Sequence, residues 1–538
     1  MRPGHRLAGA AGLTWLDVLL VWVALTTPNK LHEIAPATFV RLPVEALVIV
    51  AILLTVPARA RGATAVVAGT ALGMLTVLRV LDMAFFASLN RPFDVAMDWT
   101  YTAALVELMR DSFGSTAGTV LLVAATVVLG ALLVLMPLAV RRIADLLARH
   151  RRASLRTATG LGAAWLVLAV LGVHAAGSPV ASGGVAHYAY SQVSRIPTAI
   201  RDQEEFERAL GHDQLRDVPS GELLRGLRGK DVLFVFVESY GRVAVQDSSF
   251  STSISRVLDA GTRRLAAAGF GARSAFLTSP TFGSISWLAH ATLHTGLWVN
   301  SQQRYDALIE SERSTLSRAF GGAGWRTVVQ VPANTRDWPE GRFYGYDRFY
   351  DSRNVGYAGP RFGYPTMPDQ YTLDALQRLE LARTDRPPVM AEIDLITSHA
   401  PWSRTPRMVD QRRVGDGSVF HGMPATLASE KDIWPSPTRV RAAYGDSIEY
   451  SLTALISFVE HYGDDDTVLV VLGDHQPATI VSGPDPGHDV PVSVIARDRA
   501  VLERIDGWGW QPGLRPGRDA PVWRMDAFRD RFLAAYAR

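Results

Sequence analysis

Five apolar segments in the first third of the chain constrain its fold more than any other feature. They span residues 11–27, 42–58, 64–86, 117–140 and 158–176. Each is close to the roughly 20 residues that a helix needs to cross the hydrocarbon core of a bilayer. A globular core rarely contains five such runs in succession, and a cleaved signal peptide would explain only the first. We therefore predict about five transmembrane helices within residues 1–180.

The basic residues between these segments predict the orientation of the chain. They concentrate at the N-terminus, in the turn between the second and third segments, and in the loop between the fourth and fifth: Arg2, Arg6, Arg59, Arg61 and Arg141–Arg156. The alternate loops hold fewer: Lys30, Arg41, Arg91 and Arg110. Because basic loops stay in the cytoplasm, the N-terminus is predicted cytoplasmic. After five crossings, residues 181–538 are predicted to be extracytoplasmic, in a multi-pass protein of the cell membrane.

Charge and cysteine content exclude several classes of function. Basic and acidic residues number 55 and 52, so the net charge is +3 and no nucleic-acid partner is expected. The absence of cysteine excludes disulfides, thiolate metal sites and a cysteine nucleophile. A thiol is therefore excluded as the nucleophile and as a metal ligand.

The second part of the chain has the pattern of an α/β domain. Apolar runs typical of buried strands alternate with helical patterns; the runs are Val232–Val237, Arg326–Val331, Val389–Ile396 and Thr467–Leu472. The clearest helical patterns lie near 253–268 and over Arg439–Tyr462. This alternation predicts a mostly parallel sheet sandwiched by helices. We place a connector at 181–230 and the α/β domain at 231–538.

Two of the predicted strands run directly into residues that bind metals. Val232–Val237 is followed by Glu238, and Thr467–Leu472 is followed by Gly473, Asp474 and His475. The carboxyl ends of parallel strands meet at one edge of a sheet, which is where α/β proteins bind ligands. Two carboxylates and an imidazole suit one divalent ion, Mn²⁺, Zn²⁺ or Mg²⁺. Taken alone, each motif also fits an ordinary turn after a strand.

Between these motifs lies a segment rich in hydroxyl groups, Ser279–Gly296. A hydroxyl at a helix N-terminus is activated by the helix dipole and by a neighbouring cation. Thr281, Ser284 and Ser286 are the candidates, and N-capping of the helix is the competing explanation for either serine. His290 and His294 are four residues apart on one helix face. They are either a metal-binding pair or part of the helix packing behind the nucleophile.

The order of an acid, a hydroxyl at a helix start and an Asp-His pair resembles the alkaline-phosphatase/sulfatase superfamily. Five membrane helices before an extracytoplasmic domain resemble the branch of lipoteichoic acid synthases and of phosphoglycerol or phosphoethanolamine transferases. The motifs that carry the resemblance are Phe236–Gly241, Ser398–Pro401, Tyr444–Tyr450 and Gly473–Pro477, with a looser match at Gly345–Asp347. The resemblance implies an alkaline-phosphatase-like fold.

The resemblance also implies roles for single residues. Glu238, Asp474 and His475 become metal ligands together with Ser286, which lies ten residues before the Gly that follows a Thr at the end of its helix. Ser286 is therefore preferred over Ser284 and Thr281 as the nucleophile. The remaining roles are His399 as a catalytic and substrate-contacting residue and Trp338, Arg342 and His488 as substrate contacts. The match at Trp338 and Arg342 is loose, and His488 also fits a turn before a strand.

The residues after Ser286 separate the subclasses of this superfamily. Sulfatases convert a Cys or Ser to formylglycine in a Cys/Ser-x-Pro-x-Arg context, and here Trp287–His290 lack both the Pro and the Arg. An unmodified serine suits phosphodiesters. The expected function is transfer of a phospho-polyol or phosphoethanolamine head group from a membrane lipid to a cell-envelope glycan or lipid acceptor. The alternatives are a membrane-bound phosphodiesterase, a sulfatase, and a non-catalytic envelope protein with this fold.

Overall fold

The computed structural model describes residues 3–95, 97–101, 106, 115–175, 178–213, 218–484 and 486–537. Two of the arginines used to predict topology, Arg2 and Arg110, lie outside these residues. The chain forms two compact units. One comprises Met1–Ala87 and Arg91–Asp202, and the other comprises Ser88–Asn90 and Gln203–Arg538.

Helices occupy the positions of the five apolar segments in the first unit: Pro3–Thr26, Val44–Thr55, Ala58–Leu89, Ser115–Arg149 and Arg151–Val170. Within the described residues, three of these helices are long and apolar enough to cross a membrane by length and composition, those beginning at Ala58, Ser115 and Arg151. The other two contain shorter apolar stretches, Gly12–Thr26 and Val44–Thr55. The chain therefore has the character of a membrane protein, and a bundle of five spanning helices stays a prediction.

Short strands and a long helix lie at the end of the apolar region and in the predicted connector. β1 (Leu42–Pro43) pairs with β4 (Ala181–Ser182), and β2 (His174–Ala175) pairs with β3 (Ser178–Pro179). The helix Gly184–Gly211 and the short helix Ser220–Leu223 then occupy most of the predicted connector.

A nine-stranded sheet organises the described residues of the second unit. Its strands are β5 (Asp231–Val237), β6 (Gly271–Thr278), β7 (Arg326–Val331), β8 (Arg348–Asp351), β9 (Val389–Leu395), β10 (Thr467–Gly473), β11 (Asp489–Ala496), β12 (Gln511–Pro512) and β13 (Val522–Arg524). Their order is β12-β6-β11-β10-β5-β9-β7-β8, with β13 also paired to β6. The four strands that the sequence predicts are β5, β7, β9 and β10.

The sheet is mixed, which corrects the prediction of a mostly parallel sheet. β10, β5, β9, β7 and β8 form a parallel run. β11 is antiparallel to β10, β6 is antiparallel to β11, and β12 is antiparallel to β6. A buried strand has the same apolar pattern in either direction, so the sequence pattern does not show this reversal.

Helices cover both faces of the sheet, because alternate residues of each central strand point to opposite sides. Along β5, Leu233, Val235 and Val237 join one buried core, whereas Phe234 and Phe236 join the other. The helices of this unit are Ser251–Ala267, Ser286–Thr295, Gln302–Ile309, Leu316–Gly322, Asp369–Leu376, Glu430–Ile433, Pro437–Tyr462, Thr479–Ser482, Arg499–Glu503 and Phe528–Tyr536. The predicted helices near 253–268 and over 439–462 are both present.

Candidate active site

The parallel pairing of β5 and β10 brings the two predicted metal motifs together. Val237 lies opposite Gly473 in the register, so Glu238 and Asp474 leave the same edge of the sheet side by side. A Cβ on Gly473 would lie 1.9 Å from the carbonyl oxygen of Tyr240. Glycine is therefore required at position 473 for the two loops to approach each other this closely.

Glu238, Asp474 and His475 form a buried ligand set. Each offers one ligand atom, and these atoms all lie within 4.8 Å of one another. His475 Nε2 is 3.4 Å from Glu238 Oε1 and 3.7 Å from Asp474 Oδ2. The relative exposures are 8% for Glu238, 1% for Asp474 and 0% for His475, so bulk water does not screen the three side chains from one another. Two acids and one imidazole in such a place fit a divalent cation.

Hydrogen bonds fix the orientation of this ligand set. The backbone N–H groups of Ser239 and His475 both donate to Asp474 Oδ1, at 2.8 and 2.6 Å. His475 Nδ1 lies 3.0 Å from the carbonyl oxygen of Gln476. A carbonyl oxygen only accepts, so Nδ1 carries the proton and Nε2 presents its lone pair to the cluster. This is the tautomer that a metal-binding histidine needs.

Ser286 places its hydroxyl on the ligand set. Ser286 Oγ donates to Glu238 Oε2 at 3.0 Å and lies 3.2 Å from His475 Nε2. The helix Ser286–Thr295 begins at this residue and ends before Gly296, which has φ +64°, as the sequence predicts. Ile285 just before it has φ +66°, a left-handed conformation that is unfavourable for a β-branched residue. Such strain is often found where a reactive side chain is held in place.

The two other candidate hydroxyls are placed differently. Thr281 Oγ1 donates to the carbonyl oxygen of Ser284 at 2.8 Å, so it stabilises the turn before the helix. Among the described residues, neither Thr281 nor Ser284 makes a side-chain hydrogen bond to the ligand set. Of the three candidates, Ser286 is thus the one whose hydroxyl contacts the predicted ligands.

Burial and neighbouring charge shift the pKa values of the two carboxyl groups of the site in opposite directions. Burial alone would raise the pKa of Glu238, but electrostatic interactions with the neighbouring His399 and His475, together with hydrogen bonds, lower that pKa to about 2. Burial and the charge of Glu238 raise the pKa of Asp474 to about 7. Two carboxylates this close need a cation or a proton between them. A bound divalent cation meets that need, which is a second sign that the residues fit a metal.

His399 lies beside the site but outside the ligand set. It follows Ser398, whose hydroxyl donates to the main-chain oxygen of Glu238 at 2.5 Å. The ring of His399 stacks on Tyr364 with centroids 3.9 Å apart, and Nδ1 faces the carbonyl oxygen of Ala400. Nε2 is therefore the nitrogen that remains to meet a substrate. Tyr364 was not predicted from the sequence, because nothing in its local pattern indicates that it stacks on a histidine.

The remaining predicted substrate residues are not gathered at the ligand set. Trp338 packs against Tyr344 and Phe349, and the Arg342 side chain is exposed on the segment Pro339–Phe343. Within the described residues, neither makes a polar side-chain contact with the ligand set.

His488 connects to the site through its backbone. Its carbonyl oxygen accepts from the N–H of Ser279 at 2.9 Å, and the Ser279 hydroxyl donates to the carbonyl oxygen of Asp474 at 2.6 Å. The ring of His488 tilts against Phe282 with centroids 5.7 Å apart. The roles of Trp338, Arg342 and His488 in substrate binding stay predictions.

The structure contains a second cluster of acids and histidines, which the sequence analysis did not predict. Glu392 and Asp394 lie on β9 and join His290 in a cluster whose ligand atoms are within 4.8 Å of one another. His294 Nε2 is 2.7 Å from Glu392 Oε2. The one sequence feature that could have indicated this cluster is a pair of acids, two residues apart, inside an otherwise apolar strand. Burial in β9 raises the pKa of Asp394 to about 8, opposed by His290 and reinforced by the nearby negative charges, including Glu238.

Together these features define an α/β enzyme-like domain with a serine hydroxyl at a helix start and a two-carboxylate, one-imidazole ligand set. Residues 230–492, just under half of the chain, match the family model described as Sulfatase. This match confirms the resemblance to the alkaline-phosphatase/sulfatase superfamily over those residues. Members of this superfamily are phosphotransferases and hydrolases. No curated protein matches the chain.

Several solved structures are similar to this chain at low identity. The lipoteichoic acid synthase LtaP from Listeria monocytogenes is 16% identical over 50% of this chain and 66% of its own, with a TM-score of 0.35. Streptococcus pyogenes phosphoglycerol transferase GacH is 12% identical over 62% and 90%, with a TM-score of 0.35. The C-terminal periplasmic domain of EcEptC from Escherichia coli, in complex with Zn, is 13% identical over 51% and 74%, with a TM-score of 0.33. The chain thus spans slightly less than two thirds of LtaP.

Proposed function

We propose that this chain is a membrane-anchored, metal-dependent phosphotransferase that acts on phosphodiester lipids through a phospho-serine at Ser286. The single observation that carries the proposal is the position of Ser286 Oγ, 3.0 Å from Glu238 Oε2 and 3.2 Å from His475 Nε2. A hydroxyl used only for helix capping would bond to its own helix. This hydroxyl instead contacts two of the three candidate metal ligands.

The ligand set and the helix prepare the serine for attack. Glu238, Asp474 and His475 would hold the divalent ion, which when bound lowers the pKa of a hydroxyl and neutralises a phosphate oxygen. The first N–H groups of the helix Ser286–Thr295 favour negative charge on Ser286 Oγ. Ser286 Oγ attacks phosphorus as the alkoxide, so a bond from serine oxygen to phosphorus forms and the bond from phosphorus to the diacylglycerol oxygen breaks. Resolution of the adduct releases the same alkoxide, so Ser286 needs no further proton.

His399 is the residue that we assign to proton transfer. Its Nε2, left open by the contact of Nδ1 with Ala400, protonates the departing alcohol oxygen. The neutral Nε2 then accepts the proton of an acceptor hydroxyl, which attacks phosphorus and restores free Ser286. Because the same nitrogen gives a proton in one step and takes one in the other, His399 ends the cycle in its starting state.

Donor and acceptor follow from the membrane helices and from the chemistry of the nucleophile. A chain with several apolar helices is held at a bilayer, where a lipid with a phospho-polyol or phosphoethanolamine head group is at hand. The acceptor is then a hydroxyl or amine of a cell-envelope glycan or lipid. The sulfatase alternative is disfavoured because the Pro and Arg that direct formylglycine formation are absent after Ser286. A phosphodiesterase differs only in using water as the acceptor.

The test uses the purified full-length chain in detergent micelles. It is incubated with Mn²⁺ and with phosphatidylglycerol or phosphatidylethanolamine that carries a label in the head group. We expect release of diacylglycerol and a labelled adduct that peptide mapping assigns to Ser286. Ser284→Ala, which changes a neighbouring hydroxyl outside the ligand set, is the matched control and should retain the adduct.

The outcomes separate the candidate functions. Diacylglycerol release with transfer of the label to an added glycan or lipid supports a transferase, whereas release of free phosphorylated head group supports a phosphodiesterase. An aldehyde at position 286 together with hydrolysis of an aryl sulfate would show a sulfatase. No adduct and no turnover with either lipid, from a folded and metal-loaded chain, would refute the proposal.

A further inference from the structure

The cluster of His290, Glu392 and Asp394 lies on the same face of the sheet as the site described above. Asp394 is opposite Phe236 in the register between β9 and β5, and Glu392 is opposite Phe234. Successive side chains alternate between faces, so Glu392 and Asp394 share a face with each other and with Phe236, two residues before Glu238. His290 is one helical turn after Ser286, and its ring stacks on Phe236 with centroids 3.8 Å apart.

The spacing of this cluster is similar to that of the ligand set at Ser286. His290 Nδ1 is 2.6 Å from Glu392 Oε1 and 3.7 Å from Asp394 Oδ1. The corresponding distances from His475 Nε2 to its two carboxylates are 3.4 and 3.7 Å. Both clusters therefore consist of one imidazole nitrogen facing one oxygen from each of two carboxylates.

Hydrogen bonding satisfies Glu392 but not Asp394. The two oxygens of Glu392 contact His290, His294 and the Tyr346 hydroxyl. Asp394 Oδ1 is a buried atom that faces His290 and, among the described residues, has no hydrogen-bond partner. A buried carboxylate oxygen without a partner lowers the stability of the fold, because it has lost its hydrogen bonds to water. A cation between Asp394, Glu392 and His290 would remove that cost.

We propose that His290, Glu392 and Asp394 bind a second divalent cation. One imidazole and two carboxylates favour a transition-metal ion such as Mn²⁺ or Zn²⁺, because Ca²⁺ and Mg²⁺ prefer oxygen ligands alone. The Asp394 side chain is 22% exposed, which gives the ion a route of entry. Three protein ligands leave a further position open, as in catalytic rather than structural sites. Positive charge at this cluster also faces the edge where Glu238 and Asp474 lie.

This inference goes beyond the proposed function, which needs one ion. The experiment counts metal instead of turnover. The full-length chain is purified in detergent, stripped with a chelator, saturated with Mn²⁺ and passed through a desalting column. Manganese and protein are then measured by elemental mass spectrometry. Electron paramagnetic resonance of the same samples reports coupling between neighbouring Mn²⁺ ions.

We expect two manganese ions per wild-type chain and one in each of Asp394→Asn and Asp474→Asn, which empty different sites. Asp374→Asn is the matched control, because Asp374 is a buried aspartate that accepts from Gln411 and Tyr462 instead of joining either cluster. It should keep two ions. Spin coupling should be present in the wild type and absent from Asp394→Asn.

One ion per wild-type chain at saturation would overturn the inference, whatever the variants do. It would also be overturned if Asp394→Asn and His290→Gln both kept two ions. If Asp394→Asn does not fold, the counts of the wild type and of His290→Gln decide the question. A wild-type chain that binds two ions but transfers no head group would leave this site standing and remove the proposed function.

Discussion

Replacing Ser286 by alanine tests the central step with the least disturbance of the fold. The Ser286 hydroxyl is half-buried and donates one hydrogen bond, to Glu238 Oε2 at 3.0 Å. Water can replace part of that bond, so we expect a loss of about 1 kcal/mol in the free energy of unfolding. For a domain of this size the melting temperature should fall by only about 2–4 °C.

The effect of Ser286→Ala on turnover should be much larger than its effect on stability. Removing a covalent nucleophile costs an enzyme about 10⁴-fold or more, which is roughly 5.5 kcal/mol of transition-state stabilisation. A change of ~1 kcal/mol in stability leaves almost every molecule folded and cannot account for such a loss. We therefore expect Ser286→Ala to release no measurable diacylglycerol and to form no covalent adduct, while it melts almost as the wild type does.

The assay combines labelled-lipid turnover, intact mass and thermal melting followed by tryptophan fluorescence. Ser284→Ala is measured beside it and should keep turnover within a few-fold of the wild type. The reasoning is refuted if Ser286→Ala retains turnover and adduct, or if Ser284→Ala loses both while remaining folded. In the second case the mechanism would survive with the hydroxyl of Ser284 as nucleophile.

Four further predictions address the metal, the proton donor, a buried acid and the membrane orientation. Asp474→Asn should lower turnover by at least ~10²-fold, because it removes one of three metal ligands. Normal turnover of the wild-type chain in the presence of a chelator would contradict this prediction. His399→Ala should lower turnover by ~10²–10⁴-fold with unchanged metal content, since His399 lies outside the ligand set. If this variant lost its metal, His399 would be a metal ligand and the prediction would be wrong. Burial raises the pKa of Asp369 to about 6, so the folded state binds its proton more tightly than the unfolded state does, and this stabilisation is lost as the pH rises through 6. Asp369→Asn should therefore be more favourable to stability at pH 7.5 than at pH 4 by about 2.5 kcal/mol, measured by denaturant unfolding. An equal effect at both pH values would rule this out. A reporter fused to the C-terminus should be active only outside the cytoplasm, and activity inside would reverse the predicted topology.

Local patterns in the sequence were sufficient for the elements nearest the site. The apolar run of Val232–Val237 predicts a buried strand ending at Glu238, and the structure has β5 over Asp231–Val237. The end of the next helix at the Thr295-Gly296 pair was predicted from the local pattern, whereas its start at Ser286 was implied by the resemblance. These features are decided by residues close together in the chain, through hydrophobic periodicity and the left-handed conformation of a terminal glycine.

Three structural features could not be predicted from the sequence. The antiparallel direction of β11 was missed because a buried strand has the same pattern in either direction. The stacking of Tyr364 on His399 joins residues 35 positions apart, which lie in two loops separated by the helix Asp369–Leu376 and by β9. Glu392 and Asp394 looked like interruptions of an apolar strand, and only the packing of a helix against β9 brings His290 to them.

The sequence by itself determined the kinds of chemistry open to this protein. The absence of cysteine excludes thiol chemistry, and the apolar runs place Glu238 and the pair Asp474 and His475 at strand ends. The resemblance favoured Ser286 among three candidate hydroxyls, but the contact itself is a tertiary one, since Ser286 contacts Glu238 across 48 residues of chain and His475 across 189. Local conformation depends mainly on residues that are near neighbours in the chain. Contacts between distant segments depend instead on strand order and register, which follow from the packing of the whole sheet.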